Sequence, residues 1–258
     1  MARPTALRTL TLDQLELEDE AFFKRIGLFR DLKDRLIRDG YRVRVMPKGQ
    51  GRWDHALLLN LAFWEARGGG DILVDEVLAA DVVCHIGWHH LAGAAMADGE
   101  EPLSGPALLL GEAIASAFDL YLIGRLLGHA PESSFLETQV PAMADVAEGA
   151  GVDADAFEAL LEQIRQDPEG CFEELRRLLF DVLSDLLAAE TADQALQVLL
   201  RYDGERFACL LHHFELANWL QHARAAPHNG SADKARALDA LLRHQKVSLD
   251  WMADHWLK

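Results

Sequence analysis

The chain has 258 residues, 50% of them hydrophobic and 26% charged, a balance that excludes intrinsic disorder and supplies enough apolar material for a substantial core. The formal net charge is −17. Phosphate backbones and anionic membranes require a concentrated basic surface, so neither a nucleic acid nor a membrane is expected as a partner.

The N-terminal MARPTALRTLTLDQLELEDE has no apolar run of the kind a signal peptide needs, which places the protein in the cytoplasm as an expectation. Thr11 with Gln14 has the spacing of a capping box and predicts a helix running to about Asp39, where Gly40 supplies a stop. Tyr41 to Met46 alternates and is β-prone, so one short strand is expected before the turn at Pro47 to Gly51. Trp53 to Arg67 reads as a further helix ended by Gly68, Gly69 and Gly70, with Asp71 placed to cap the next one.

Two apolar helices follow, at Ile72 to Ala97 and Pro106 to Leu127. The second is long enough to cross a bilayer, but Glu112, Asp119 and Arg125 lie within it and favour a buried core helix. After a connector at His129 to Ser134, amphipathic helices are expected at about Phe135 to Glu148, Asp153 to Gln166, Pro168 to Glu190, Ala192 to Tyr202, Glu205 to Ala226 and Ser231 to Trp256. The acidic excess between Glu132 and Asp193 reads as the solvated face of those helices. The fold class is therefore mainly α: a multi-helix domain around a central buried antiparallel helix pair, with at most a small β element near residues 41–46. A boundary near residue 130 would divide it into an N-terminal domain over 1–130 that carries the helix pair and an acidic helical region over 131–258.

The helix pair holds the residues that an ordinary core would not. Asp81, His85 and His89 recur every four positions and form one stripe, and Glu112, Ser116 and Asp119 recur at offsets of four and three on the other helix. A lone carboxylate in an apolar interior costs several kcal/mol or takes up a proton, so such groups are found paired or bound to a metal. The short, turn-rich loop Asp98 to Gly105 favours an antiparallel hairpin, which would bring the two stripes face to face. Two readings follow: a metal site, or a ligand-free polar network in which His85 bonds Asp119 and Glu112 pairs with Arg125 or an N-terminal arginine.

The string VVCHIGWHHLA, Val82 to Ala92, resembles the active-site helix of the zinc metallopeptidases that carry HExxH. Glu112, 23 residues beyond His89 in the segment GEAIASAFD, is similar to the third ligand of the gluzincin branch of those enzymes. The resemblance covers about forty residues and implies His85, His89 and Glu112 as metal ligands, with Ser116 and Asp119 placed to orient an imidazole. One departure is chemical. Ile86 stands where that family has the Glu that activates water, so Asp81, Asp119 or His90 would have to accept the proton instead.

These features lead to the expectation of a metal-dependent, hydrolase-like enzyme with Zn2+ on His85, His89 and Glu112 and with Asp81 and Asp119 in catalytic roles, acting on a small-molecule or peptide-like carbonyl substrate. Two His and one carboxylate equally suit Fe2+ in a non-haem oxygenase, and a non-catalytic zincin-like scaffold is the third possibility. His212, Glu215, Trp219 and His222 share a face if Glu205 to Ala226 is one helix, and would then offer a further ligand or a second site. Cys84 reads as a small packed hydrophobe. The cysteines Cys84, Cys171 and Cys209 form no CxxC pair and no disulfide framework. The adjacent pairs Asp54–His55 and Asp254–His255 read as surface features. No phosphate-binding glycine loop or serine nucleophile elbow occurs in the sequence.

Overall fold

The computed structural model describes residues 6–49, 52, 54 and 71–258. The predicted helix over Trp53 to Arg67 and its glycine stop lie outside the described residues. The fold is mainly α, as the sequence implies. The chain forms two compact units, Met1–Gly87 and Trp88–Lys258.

In the first unit, strand β1 (Arg8–Thr11) pairs antiparallel with a later strand, and β2 (Glu16–Glu18) follows a single 3-10 turn over Leu12–Gln14. Helix α1 spans Glu20–Phe23, α2 spans Gly27–Arg38, and β3 covers Arg42–Val45. β4 (Ile72–Leu73) and β5 (Val77–Ala79) complete the strands. β3 is central to a sheet in the order β1-β3-β4, with Thr9 opposite Arg44 and with Arg44 opposite Ile72, while β2 and β5 form a separate parallel pair. Alternation places Val43 and Val45 in the core and turns Arg42 away. Helix α2 buries Phe29, Leu32 and Leu36, which recur on one face. Its Phe29 ring meets Phe23 edge-on at 5.6 Å.

The structure corrects two predicted boundaries here. The helix expected from Thr11 to Asp39 is broken into a 3-10 turn, a strand and two helices. Gln14 does accept the Thr11 N–H at 2.9 Å, but the apolar period of two in Leu15-Glu16-Leu17-Glu18 then selects a strand. Likewise the segment from Ile72 is extended before it is helical. The Asp75 carboxylate accepts the Val77 N–H at 3.0 Å, a local turn that competes with helix formation, and the helix starts only at Ala80.

Helix α3 (Ala80–Met96) carries the chain into the second unit, where α4 spans Gly105–Leu127 and α5 Ser134–Gly149. These are followed by α6 (Ala154–Gln166), α7 (Pro168–Ala188) and α8 (Ala192–Arg201). A 3-10 turn over Ala208–Phe214 precedes α9 (Leu216–Ala225), and α10 (Ser231–Arg243) and α11 (Ser248–Met252) close the fold. Helix α4 is the spine of this unit. Nearly all of its residues are buried, and α5, α6, α7, α9 and α10 pack around it. Its most apolar window is 89% buried, which is why a helix apolar enough to cross a membrane by length and composition is found in a protein core.

Close packing on α4 depends on two glycines. A Cβ at Gly124 would fall inside van der Waals contact with the Ile164 carbonyl oxygen, and one at Gly105 would do the same to the Ala223 carbonyl. The outer helices are tied by a buried ionic cluster. Arg176 is fully buried; its Nη1 donates to Asp239 at 2.9 Å, and Nη2 lies 3.6 Å from Glu173. Glu173 also accepts the Ser248 N–H and so caps α11 from a distant helix. Burial holds the Arg176 guanidinium below its ordinary basicity, yet it stays charged because two carboxylates face it.

Removing one member of such a cluster leaves an opposing charge in a dry site. Arg176→Ala is expected to lower stability by about 3 kcal/mol, and Gly124→Ala by about 1–3 kcal/mol through overpacking, both read from urea unfolding midpoints against wild type.

Candidate metal centre

Helix α3 sets His85 and His89 one turn apart, and α4 sets Glu112 on its buried side. One ligand atom from each of these three residues can be chosen so that all lie within 4.8 Å of one another. His89 Nε2 stands 3.3 Å from Glu112 Oε2. Both histidines are half-buried, whereas Glu112 is only 3% exposed. The second edge of the His89 ring faces α4, where a Cβ at Gly111 would lie 3.4 Å from Nδ1. A larger side chain at that position would push the ring.

Around this group the helix pair is held by aromatic contacts. Trp88 is fully buried and meets Phe118 at 5.3 Å, and Phe118 stacks on Tyr121 at 4.9 Å. Ile86 is buried, so the position between the two histidines presents hydrocarbon rather than a base. Cys84 is fully buried, in keeping with its reading as a small packed hydrophobe, and forms no disulfide. Ser116, one turn beyond Glu112, is also buried. Asp81 lies in the first turn of α3 and is half-buried, as are His90 and Asp119.

The ligand-free alternative for Glu112 through Arg125 is not what the structure contains. Arg125 is exposed, lies over the Tyr121 ring and pairs with Glu169 at 3.7 Å.

The His212, Glu215 and His222 stripe is not formed. Glu215 has left-handed backbone (φ 48, ψ 40) and separates the 3-10 turn from α9, so the four residues do not lie on one continuous helix. Its carboxylate accepts from Asn218 Nδ2 at 2.8 Å, and both Glu215 and His212 are exposed. Asp254 pairs with Lys258, and His255 Nδ1 meets the Trp251 carbonyl, so that pair is a surface feature. Asp54 pairs with Arg52, and His55 lies outside the described residues.

One residue that the sequence pattern did not single out is influenced by the charge of Asp119 on α4. His213 is half-buried on the 3-10 turn, with burial lowering its basicity and the Asp119 carboxylate opposing that effect. Helical spacing could not reveal it, since the influence of Asp119 on His213 depends on where a segment far along the chain comes to lie.

The chain matches no protein-family model, no curated protein and no solved structure.

The direction at His213 has a measurable consequence. Folding favours the neutral ring, so its contribution is intact above the ordinary imidazole value of 6.5 and is lost as pH falls from there toward the lowered folded-state value. Urea midpoints measured from neutral to mildly acidic pH should fall less on the acid side in His213→Gln. They should fall more in Asp119→Asn, where the carboxylate no longer supports the protonated ring.

Proposed function

We propose that the protein is a metal-dependent enzyme whose centre is held by His85, His89 and Glu112, with zinc as the simplest occupant. The observation that carries this reading is the convergence of two imidazoles and one buried carboxylate within 4.8 Å. Zinc bonds to nitrogen and oxygen run at about 2.0–2.2 Å, so ligand atoms of a tetrahedral centre stand roughly 3.3–3.6 Å apart. The 3.3 Å between His89 Nε2 and Glu112 Oε2 fits that span. Three protein ligands leave a position for water or substrate, the pattern of a catalytic rather than a structural zinc site. The short likeness to the gluzincin helix is consistent with the same assignment.

When bound, the metal would supply Lewis acidity toward a carbonyl oxygen and make water more acidic. The chain's own part is to hold the three ligands at the right spacing beside a buried carboxylate and to receive a proton. Ile86 cannot do the latter, so the acceptor has to be another group, with Asp81 and His90 on α3 and Asp119 on α4 as the candidates. The substrate class we propose is a small or peptide-like carbonyl compound, met in the cytoplasm.

Protein purified without a histidine tag is expected to contain one zinc per chain by elemental analysis. His89→Ala and Glu112→Gln should each lose it. Iron in place of zinc would favour the oxygenase reading on the same ligands, and no transition metal in the wild type would end the proposal. Gly111→Val should weaken zinc binding by about tenfold or more, equivalent to about 1.4 kcal/mol, while Gly111→Ala should be tolerated. Competition with a chromogenic chelator measures both.

A further inference from the structure

Resting on the metal-centre reading, the residues beside the ligands at the hairpin end define what a molecule held there would touch. The contact of His89 Nε2 with Glu112 Oε2 at 3.3 Å fixes the register of α3 against α4. One turn from each of these ligands toward the loop stand Gly93 on α3 and Leu108 on α4. Leu103, in the loop itself, closes the same end: a Cβ at Gly93 would lie 3.5 Å from its Cδ1. Gly93, Leu103 and Leu108 are all half-buried. The His89 side chain is 32% exposed where Glu112 is only 3% exposed, so solvent reaches this pair of ligands on the His89 side.

Three features make this end a built apolar surface. It carries no charge: no Asp, Glu, Lys or Arg occurs from Val82 to Ala97 or from Pro102 to Gly111 in a chain of net charge −17, although Ala94 and Ala95 are exposed as well. Its wall is fixed, because the residues on either side of Leu103 are tied to the approach to α10. The Pro102 carbonyl accepts from Asn229 Nδ2 at 2.8 Å, and the Ser104 N–H donates to Ser231 Oγ at 2.8 Å. Finally, the protein's own packing does not demand a glycine at 93. At Gly105 and Gly124 a Cβ would run into a backbone carbonyl, but at Gly93 it would meet Leu103 alone, at ordinary contact distance. Glycine inside a helix is less favourable than alanine, so the space it leaves beside the ligands is not accounted for by helix packing.

We infer that Gly93, Leu103 and Leu108 receive the substituent next to the carbonyl of a compound held at the His85, His89 and Glu112 centre, and that this substituent is uncharged and apolar. Gly93 sets its size. Four residues of helix rise about 6 Å, a span matched by a chain of about five carbons. The substrate class is thereby narrowed to acyl compounds, amides or esters, whose acyl group is a short apolar chain. A charged substituent would have to give up its hydration against hydrocarbon with no partner of opposite sign in these two segments.

The test measures binding of two hydroxamates, acetohydroxamate and hexanohydroxamate, to the zinc-loaded full chain by calorimetry. Both present the same metal-binding group and differ only in the chain that would lie on Gly93. Wild type should bind the longer one about twentyfold more tightly or better, since each buried methylene is worth roughly threefold. Gly93→Leu should abolish that ratio while keeping its zinc and its affinity for acetohydroxamate, and Gly93→Ala should lower the ratio only slightly. Leu103→Ser should reduce it several-fold without filling the space, which keeps the test open if Gly93→Leu fails to fold. Equal binding of the two hydroxamates by zinc-loaded wild type, or binding of neither, overturns the inference while leaving the metal centre standing. So does a ratio that survives in both Gly93→Leu and Leu103→Ser. A wild type that holds no zinc removes the centre and the inference together.

Discussion

Placing the Glu112 carboxylate in the interior of an apolar helix is the constraint around which the rest of the second unit is organised. A carboxylate that is 3% exposed has given up most of its hydration, a cost of several kcal/mol that neighbouring groups must offset. The imidazole of His89 meets it on one side, with Gly111 leaving room for the ring. Helix α4 can carry such a group because it is surrounded by other helices and cannot relax toward water. The same enclosure that makes the charge expensive would make its electrostatic interaction with a bound cation strong.

The enclosure has its own requirements. Helices reach α4 closely only where Gly105 and Gly124 remove the Cβ, and backbone carbonyls occupy the space that would otherwise be filled. Farther out, Arg176 joins α7 to α10 through Asp239, and Glu173 joins α7 to α11 through the Ser248 amide. These buried charges add little net stability compared with well-packed hydrocarbon. What they do is specify one arrangement: a slipped helix would leave an ion without its partner.

The break at Glu215 shows how one backbone conformation changes the chemistry available. Continued as a helix, Glu205 to Ala226 would set His212, Glu215 and His222 on one face. With Glu215 left-handed, that face is dissolved, and His213 is half-buried where the charge of Asp119 acts on it. Two neighbouring histidines in the sequence thus have different fates, His212 exposed and His213 half-buried.

By itself the sequence determined the mainly helical character, the helix pair, and the triad His85, His89 and Glu112, because polar residues four apart within apolar helices can be read without knowing what lies opposite. The helix starts expected at Asp153 and Ala192 are also real, and in the structure Asp153 and Thr191 each accept an amide hydrogen bond from the first turn. Strands β1, β2, β4 and β5 were not legible, as such pieces of two to four residues are stabilised by partners far along the chain rather than by local pattern. Nor was the influence of Asp119 on His213, which depends on where the 3-10 turn comes to lie. Periodicity encodes which side of an element is apolar; which element covers that side, and where a helix must break to do so, is decided only when burial of all of them is satisfied together.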